Sequence, residues 1–302
     1  MLIHMEMIEV EAFVAIARAG SVSRAAVAVH LSQPAMSRRI DLLEREIGVP
    51  LFDRVPSGVR LTDAGKAFLP YARQVLAAAR DGAEAARALE AEERGTVTLA
   101  LVGTLASTGL TARLRDFRDA YPEVRLLLHT ARSDEVSAIV QRGDAQLGLR
   151  YFAGPDRDLV ARPVTDELLR VVCAGQSRLV DPAATDVRSL AGVPWVGFPR
   201  GGPSTGEPFA RAMEQQLVRC GMGDAEYITI DSLTAQKRLI EADFGVGLMP
   251  ASSVVEEVHL GTLRVLLIAA LETAVPVAVI YRRNGYLSGA AHRLLISLTA
   301  RT

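Results

Sequence analysis

Apolar positions near the N-terminus recur at the spacing of α-helices, and small polar residues separate the helical stretches. The first helix is predicted from about Met5 to Arg18, and Gly20 ends it. Ser21 or Ser23 can cap a second helix from Arg24 to Val29. The pattern therefore predicts two short helices, followed by a tight turn into a third.

The predicted third helix, Gln33–Ile47, follows the capping residue Ser32 and stops at Gly48 and Pro50. Its apolar face consists of Met36, Ile40, Leu43 and Ile47. Its opposite face consists of Pro34, Arg38, Asp41 and Arg45. A helix presented in this way fits the major groove of DNA, where the N-terminal turns contact bases. The alternative is an amphipathic surface helix whose arginines are solvated.

The first turns of this helix supply side chains that can read bases. The base-facing candidates are Gln33, Pro34, Ala35, Ser37 and Arg38. Arg38 suits the O6 and N7 atoms of guanine, Gln33 suits adenine, and the two apolar residues suit thymine methyl groups. Arg39 points sideways and is expected to contact phosphate.

A short hairpin is predicted directly after the third helix. Leu51-Phe52 and Leu61 read as strands, and Pro56-Ser57-Gly58 reads as the turn between them. Arg54 and Arg60 flank this turn. We expect the hairpin to return both arginines to the face of the recognition helix, as a wing that contacts the DNA backbone or minor groove.

A long helix is predicted from Asp63 to about Arg94, with Thr62 as its cap and Pro70 as a kink. Its narrow apolar stripe consists of Phe68, Ala72, Val75, Ala79 and Ala86. This width is typical of a two-helix seam, so the stripe predicts a dimer, which also matches two-fold symmetric DNA. The alternative is a helix packed on its own chain.

From Thr96 onward, strand-like apolar runs alternate with helical segments. The predicted strands are Val97–Val102, Val124–His129, Gln146–Leu149, Leu168–Cys173, Trp195–Phe198, Tyr227–Ile230, Val246–Met249 and Val277–Tyr281. This alternation predicts an α/β domain with mostly parallel strands.

The ends of several predicted strands are rich in hydroxyls and glycines. These ends are Gly103-Thr104, Thr130–Ser133, Pro199–Gly206 and Thr229–Ser232. Each one precedes a helix, and helix N-termini at the carboxyl ends of parallel strands favour a small anion. Arg150, Tyr151 and Phe198 can supply a counter-charge and an apolar wall. The alternative is that the hydroxyls are simply helix caps.

Chain length and composition indicate a folded protein of two domains. The chain has 302 residues, 49% of them hydrophobic. The apolar run Val265–Leu271 is too short to span a bilayer, so no membrane partner is expected. Glutamates near the N-terminus argue against a signal peptide, so a cytoplasmic location is predicted.

The net charge of −1 does not by itself favour nucleic acid. From Arg18 to Arg60, however, the sequence has seven arginines and only four carboxylates, so positive charge concentrates where DNA contact is predicted. Cys173 and Cys220 are too far apart in sequence to suggest a metal site, and Cys173 reads as a small buried hydrophobe.

The N-terminal motifs resemble the winged helix-turn-helix of LysR-type transcriptional regulators. The resemblance rests on SRAA, LSQPAMSRRIDLLEREIG and PLFDRVPSGVRLTDAG, and it extends from Met5 to about Arg80. It implies DNA contact by Ser23, Arg24, Ser32, Gln33, Pro34, Ala35, Ser37, Arg38, Arg54 and Arg60.

The C-terminal resemblance is more diffuse and rests on DFRDAYPEV, IVQRGDAQLGL and IEADFGVGLMP. It implies a two-lobed, periplasmic-binding-protein-like effector domain over residues 95–302, with residues 1–62 and 63–94 as the DNA-binding domain and the linker helix. The first lobe comprises about 95–162 and 276–302, and the second about 163–275. The family also suggests a homotetramer. The predicted effector contacts are Gly103, Thr104, Thr130, Ser133, Arg150, Tyr151, Phe198, Pro203, Ser204 and Thr205.

A serine hydrolase is the first alternative, because Gly202–Gly206 matches G-x-S-x-G and Asp231 or Asp243 and His259 or His292 can be its partners. Pro203 removes a backbone donor beside the supposed nucleophile, and the strand ends too early, so a serine hydrolase is disfavoured. Phosphate-loop, dinucleotide and zinc motifs are lacking, so no cofactor and no metal are predicted. A solute-binding protein whose N-terminal module serves only assembly is the second alternative. The sequence thus predicts a DNA-binding regulator controlled by a small organic anion.

Overall fold

The computed structural model describes residues 4–56, 58–88, 95–106, 108–199 and 208–300. The chain divides into two compact units. The described residues up to Ala88 form the first, with Gln141–Gly143 grouped with them, and the rest form the second. The predicted effector contacts Pro203, Ser204 and Thr205 lie outside the described residues.

The first unit is helical with one small hairpin. Its elements are α1 (Met7–Ala19), α2 (Val22–Ala28), α3 (Gln33–Ile47), β1 (Phe52–Val55), β2 (Gly58–Leu61) and α4 (Asp63–Ala88). Ser21 accepts a hydrogen bond from the Arg24 amide, so α2 begins two residues earlier than predicted. The bounds of α3 agree with the sequence prediction, with Ser32 as its cap and Gly48 in the left-handed conformation at its end.

The core of the first unit lies where α1, α3, the hairpin and α4 meet. Phe13 is fully buried, and its ring lies 5.2 Å from the ring of Phe52 and 5.1 Å from that of Phe68. Met36 and Leu43 are buried on the predicted inward face of α3. One contiguous apolar cluster therefore fixes α3 against the remaining elements.

The second unit is an α/β domain. Its strands are β3 (Gly95–Val102), β4 (Val124–Ala131), β5 (Leu147–Tyr151), β6 (Leu159–Ala174), β7 (Trp195–Gly197), β8 (Tyr227–Thr229), β9 (Gly247–Pro250), β10 (Leu263–Leu266) and β11 (Thr273–Arg282). Its helices are α5 (Thr108–Ala120), α6 (Ser133–Gln141), α7 (Pro208–Arg219), α8 (Leu233–Glu241), α9 (Val255–Leu260) and α10 (Gly289–Thr299).

The prediction of mostly parallel strands is wrong for the second unit as a whole, because parallel pairing of strands is confined to two groups. Strand β3 pairs in parallel with β4 and β5, and β7 pairs in parallel with β8. The long strands β6 and β11 instead pair antiparallel with each other and with their other neighbours. These two strands carry the chain between the lobes in opposite directions, so they run antiparallel to each other.

The two groups of parallel strands point their carboxyl ends at the same region of the second unit. The chain leaves β3 at Val102, β4 at Ala131, β7 at Gly197 and β8 at Thr229, and helical turns begin soon after. This arrangement creates the cavity described below. None of the described helices combines the length and apolar character needed to cross a bilayer.

Candidate functional site

Helix α3 presents a solvent-facing surface opposite its buried stripe. Gln33, Pro34, Arg38, Asp41 and Arg45 are all exposed, as the sequence pattern predicts. Proline in the first turn costs no hydrogen bond there, and the Ser32 hydroxyl accepts from the Ala35 amide at 3.3 Å. The predicted base-reading positions therefore lie on a helix whose start and orientation are fixed.

The remaining predicted DNA contacts differ in how much of the side chain is free. Among the described residues, Arg38, Arg39 and Arg54 make no hydrogen bond or ion pair, so their guanidinium groups are available. Ala35, Ser37 and Arg39 are half-buried, whereas Ser23, Arg24 and Ser32 are exposed.

Three of the predicted contacts, Ser23, Gln33 and Arg24, also hold the helix-turn-helix together. The Ser23 hydroxyl donates to Gln33 Oε1 at 3.0 Å, which joins α2 to the start of α3. The Arg24 guanidinium donates to the Ala19 carbonyl from Nη2 at 2.8 Å and from Nε at 3.2 Å. Arg24 therefore satisfies a free carbonyl at the end of α1.

The hairpin does not bring its two arginines to one face, contrary to our expectation. Arg60 pairs with Asp53 across the hairpin, whereas Arg54 pairs with Val59. Side chains of successive strand residues alternate, so Arg54 and Arg60 project from opposite faces. Arg54 shares the face of Phe52, whose ring packs on the core.

The wing is held by Glu44, which sequence reasoning missed, and by Gly58, which it placed in the turn. Glu44 Oε1 on α3 accepts hydrogen bonds from the Leu51 amide at 2.6 Å and the Phe52 amide at 3.1 Å. A Cβ on Gly58 would lie 2.4 Å from the Gly20 carbonyl oxygen, so only glycine allows this approach. Gly58 also has a φ of 134°, and it follows Pro56-Ser57, the turn signal that was visible in the sequence.

The predicted dimer seam on α4 is only partly available to a second chain. Phe68 packs against Phe13, and Ala72 is buried in the core of the first unit. Both were predicted to face another α4, but α1 and the hairpin already cover them. Val75, Ala79 and Ala86 are exposed and are the part of the seam that a second chain can contact.

The second unit contains a cavity of about 970 Å³ at the carboxyl ends of its parallel strands. Residues from both lobes line it. Those from the first lobe are Val102, Gly103, Thr104, Ala106, Thr130, Ala131, Arg132 and Glu135. Those from the second are Phe198, Pro199, Phe209, Ala210, Asp231–Thr234, Lys237, Ser252, Ser253 and Val255–Glu257. The position agrees with the rule that ligands bind where parallel strands end.

Four of the predicted effector contacts line this cavity: Gly103, Thr104, Thr130 and Phe198. The Thr104 hydroxyl is buried and has no hydrogen-bond partner among the described residues. Ser133 does not line the cavity, because it is fully buried at the start of α6 and its carbonyl accepts from the Ser137 hydroxyl at 3.3 Å.

Arg150 and Tyr151 were competing candidates for one wall of the cavity, and neither is among its lining residues. All residues of β5 are buried, because neighbouring strands flank it and helices cover it. The Arg150 guanidinium donates to the Ser137 hydroxyl and to the Tyr151 carbonyl. The ring of Tyr151 stacks on Phe209 at 4.1 Å, so it supports the wall from behind.

A buried charged contact in the cavity lining was missed from sequence. Lys237 Nζ donates to the Ser253 carbonyl at 3.0 Å and to Glu257 Oε1, and Glu257 is only 7% exposed. An ammonium group has three donors, so one remains. The chain contains only two lysines, Lys66 and Lys237, and this contrast with its many arginines was the available signal.

Helix starts surround the cavity. Its lining includes Arg132 and Glu135 at the N-terminus of α6 and Ser232–Thr234 at the N-terminus of α8, where the aligned backbone dipoles favour negative charge. The Ser232 hydroxyl accepts from the Ala235 amide at 3.4 Å, so for this residue the helix-cap interpretation is correct. The hydroxyls of Ser252 and Ser253 follow β9 and belong to a further strand end, which was not predicted from sequence to line the cavity.

The groups nominated for a hydrolase are not brought together. Of Asp231, Asp243, His259 and His292, only Asp231 lines the cavity. Asp243 accepts hydrogen bonds from the Ser177 hydroxyl and the Arg178 amide, which gives it a structural role. The G-x-S-x-G segment lies outside the described residues, and no metal-ligating cluster occurs in the part of the chain that the structure describes.

Cys173 is fully buried on β6, as predicted for a small hydrophobe. Burial raises the pKa of its thiol to about 11, because the thiolate would lose its hydration. The thiol is therefore protonated and unreactive near neutral pH.

Comparison with known proteins supports both units. Residues 8–66 match the family described as bacterial regulatory helix-turn-helix protein, lysR family, and residues 90–302 match the LysR substrate binding domain. The chain is 31% identical to the HTH-type transcriptional regulator TfdS of Cupriavidus pinatubonensis, covering 92% of each. It is 33% identical to TfdT of the same organism, over 65% of this chain and 86% of that one.

Solved structures agree over the full length. The chain matches CbnR, a LysR family transcriptional regulator, with a TM-score of 0.58 and 26% identity, over 97% of this chain and 100% of that one. A full-length OxyR variant from Pseudomonas aeruginosa shares the fold with a TM-score of 0.70 at 22% identity, over 98% of this chain and 94% of that one. The chain therefore belongs to the LysR family of transcriptional regulators, with a helix-turn-helix DNA-binding domain and an effector-binding domain, and is not an enzyme.

Proposed function

We propose that this regulator binds a specific, pseudo-palindromic DNA site through paired winged helices, and that a small organic anion in the cavity controls this binding. The observation that carries the proposal is the exposed Arg38, which makes no hydrogen bond or ion pair with a described residue and lies on a helix whose other face packs in the core. A freely available guanidinium on the first turns of α3 can take guanine O6 and N7 together. We place this activity in the cytoplasm, where bacterial DNA lies.

The pairing of two chains is part of the proposal. Val75, Ala79 and Ala86 form an exposed small-residue stripe on α4 that allows a second helix to approach closely. A C2 pair of recognition helices matches a DNA site with two half-sites. We expect two such dimers to associate into a homotetramer, which is the assembly that the family suggests.

Support for an anionic effector comes from the cavity. Described residues take two of the three Lys237 donors, so one remains for a ligand, and the N-terminus of α8 adds partial positive charge. Control of DNA binding requires that the effector bind one arrangement of the lobes more tightly than another.

Replacing Arg38 by alanine tests the DNA-reading role. We expect Arg38→Ala to weaken specific binding by ~1–3 kcal/mol, because a bidentate contact to guanine is lost. Binding to scrambled DNA should fall much less. The measurement is fluorescence anisotropy at fixed salt, with a target sequence selected from a random DNA library and a scrambled version of it.

Arg45→Ala is the matched control, since Arg45 lies on the same exposed face two turns later and its Nε donates to the Asp41 carbonyl. It removes the same charge without removing the proposed base contact. If Arg38→Ala and Arg45→Ala change the ratio of specific to scrambled binding equally, α3 does not read DNA in the proposed way.

Replacing Lys237 by methionine tests the anion site. We expect Lys237→Met to lose affinity for the best-binding carboxylate of a small panel by ~1.5–3 kcal/mol, the usual range for hydrogen bonds to charged groups. The measurement is the ligand-induced rise in melting temperature. Because the change strands the buried Glu257, the double variant Lys237→Met, Glu257→Gln is measured beside it.

Lys66→Met is the control, since Lys66 is exposed and its ammonium pairs, among the described residues, with Asp63 alone, at 2.7 Å. Retention of full carboxylate affinity in both Lys237 variants would show that the anion binds elsewhere.

A further inference from the structure

The described lining of the cavity carries more carboxylates than cationic side chains. A site for a ligand with negative charge only would be expected to carry more cations than carboxylates. The two cations are Arg132 and Lys237, and the four carboxylates are Glu135, Asp231, Glu256 and Glu257. Glu135 Oε2 accepts a hydrogen bond from the Arg132 amide and caps α6. The other three carboxylates all belong to the second lobe.

These three carboxylates have capacity for a positively charged group. Asp231 and Glu256 are exposed and make no hydrogen bond or ion pair with a described residue. Glu257 is 93% buried, given its exposure of 7%, and its Oε2 has no donor in the described part of the chain. A buried carboxylate oxygen without a donor is unfavourable, and such groups in native proteins are usually satisfied.

We propose that the effector is a zwitterion, namely an α-amino acid with an apolar side chain. This inference rests on the proposed function, because the carboxylate of the amino acid occupies the anion site at Lys237. Lys237 and Glu257 are hydrogen-bonded neighbours, so opposite charges adjoin in the cavity wall. In an α-amino acid one carbon separates the carboxylate from the ammonium. The ligand therefore also carries adjacent opposite charges, which can face the adjacent charges of Lys237 and Glu257. The carboxylate takes the free donor of Lys237, and the ammonium lies against Glu257 and the rim carboxylates.

The remaining walls suit an apolar side chain. Phe198 and Phe209 meet edge to face at 6.1 Å, and both line the cavity together with Pro199 and Ala210. A metal ion is a weaker fit for the carboxylates, because no group of three metal-ligating side chains occurs among the described residues.

The test uses the full chain and three matched probes: L-phenylalanine, 3-phenylpropanoate and 2-phenylethylamine, titrated by calorimetry. L-leucine, 4-methylpentanoate and 3-methylbutylamine form a second set with a smaller side chain. In one set or both, we expect the amino acid to bind more tightly, by roughly tenfold or more, than the matched acid and the matched amine. The acid lacks the ammonium contact, and the amine lacks the carboxylate contact.

Variants locate the ammonium. The double variant Asp231→Asn, Glu256→Gln changes exposed side chains and should fold normally. The single variant Glu257→Gln tests the buried carboxylate. Both should weaken amino-acid binding by roughly tenfold or more and leave the matched carboxylate unchanged or tighter.

The outcomes separate this inference from the proposed anion site. If both carboxylates bind as tightly as their amino acids in a Lys237-dependent manner, the zwitterion is wrong and the anion site stands. Absence of binding by both amino acids also overturns the zwitterion. The anion site itself fails only when carboxylates bind with no dependence on Lys237, or when none binds.

Discussion

Phe13→Ala is expected to destabilise the N-terminal unit by ~3–5 kcal/mol, the usual cost of removing a fully buried phenylalanine ring. Phe13 is 0% exposed, and its ring contacts those of Phe52 and Phe68. One side chain thus joins α1 to the wing and to the linker helix. Because small domains are stable by only ~5–15 kcal/mol, the loss removes a large part of the free energy of unfolding, and DNA binding should fall in proportion to the fraction of molecules in which this unit is unfolded.

Native-state hydrogen exchange in the full chain measures this effect locally. Amides of α1 and α3 should exchange through openings that cost less free energy than in the unchanged chain. Trp195, the only tryptophan, is buried in the second unit, so its fluorescence transition in urea should stay unchanged. Tyr71→Ala on α4 removes an aromatic ring that is 66% exposed and should have little effect. If the amides of α1 and α3 are equally protected from exchange in Phe13→Ala and Tyr71→Ala, Phe13 does not stabilise this unit as proposed.

The parts of the fold that sequence predicted best have strong local signals. Helix α3 begins at a serine cap followed by proline and ends at a left-handed glycine, and both signals act within a few residues. Its inward face follows from periodicity alone, since Met36 and Leu43 must leave water together. The family resemblance was also correct, because its motif spans the whole helix-turn-helix.

The errors arise where partners distant in sequence decide the outcome. Arg54 and Arg60 flank one turn, but their faces depend on the pairing register of the hairpin. Phe68 was assigned to a dimer seam because nothing in the local pattern shows that α1 lies against it. Arg150 was expected in the cavity because it ends a strand, but Ser137 of α6 holds it inside the domain.

The cavity shows the same division between local and distant signals. Backbone positions at strand ends, such as Thr104 and Thr130, were predictable from the α/β alternation. Lys237 lies inside α8, one turn beyond the cap, and its partner Glu257 lies on α9. No spacing rule joins residues on different helices, so the charged pair required the structure.

Phe209→Ala is expected to destabilise the second unit by ~3–5 kcal/mol and to enlarge the cavity. Phe209 is 1% exposed, stacks on Tyr151 at 4.1 Å with an angle of 18°, and meets the edge of Phe198. Removing its ring leaves Tyr151 without its stacking partner and leaves a void in the cavity wall. The urea transition of Trp195 fluorescence should therefore shift to a lower concentration with an unchanged slope.

Two controls decide whether the ring or merely the position matters. Phe209→Leu keeps most of the apolar volume and should cost less than ~1.5 kcal/mol if the wall can repack. Phe244→Ala removes a ring that is 54% exposed in the same unit and should leave the transition in place. If Phe209→Ala is no more destabilising than Phe244→Ala, the aromatic wall does not support the cavity. If it is destabilising but the ligand affinity stays unchanged, Phe209 acts only in folding, and the apolar part of the effector contacts other residues.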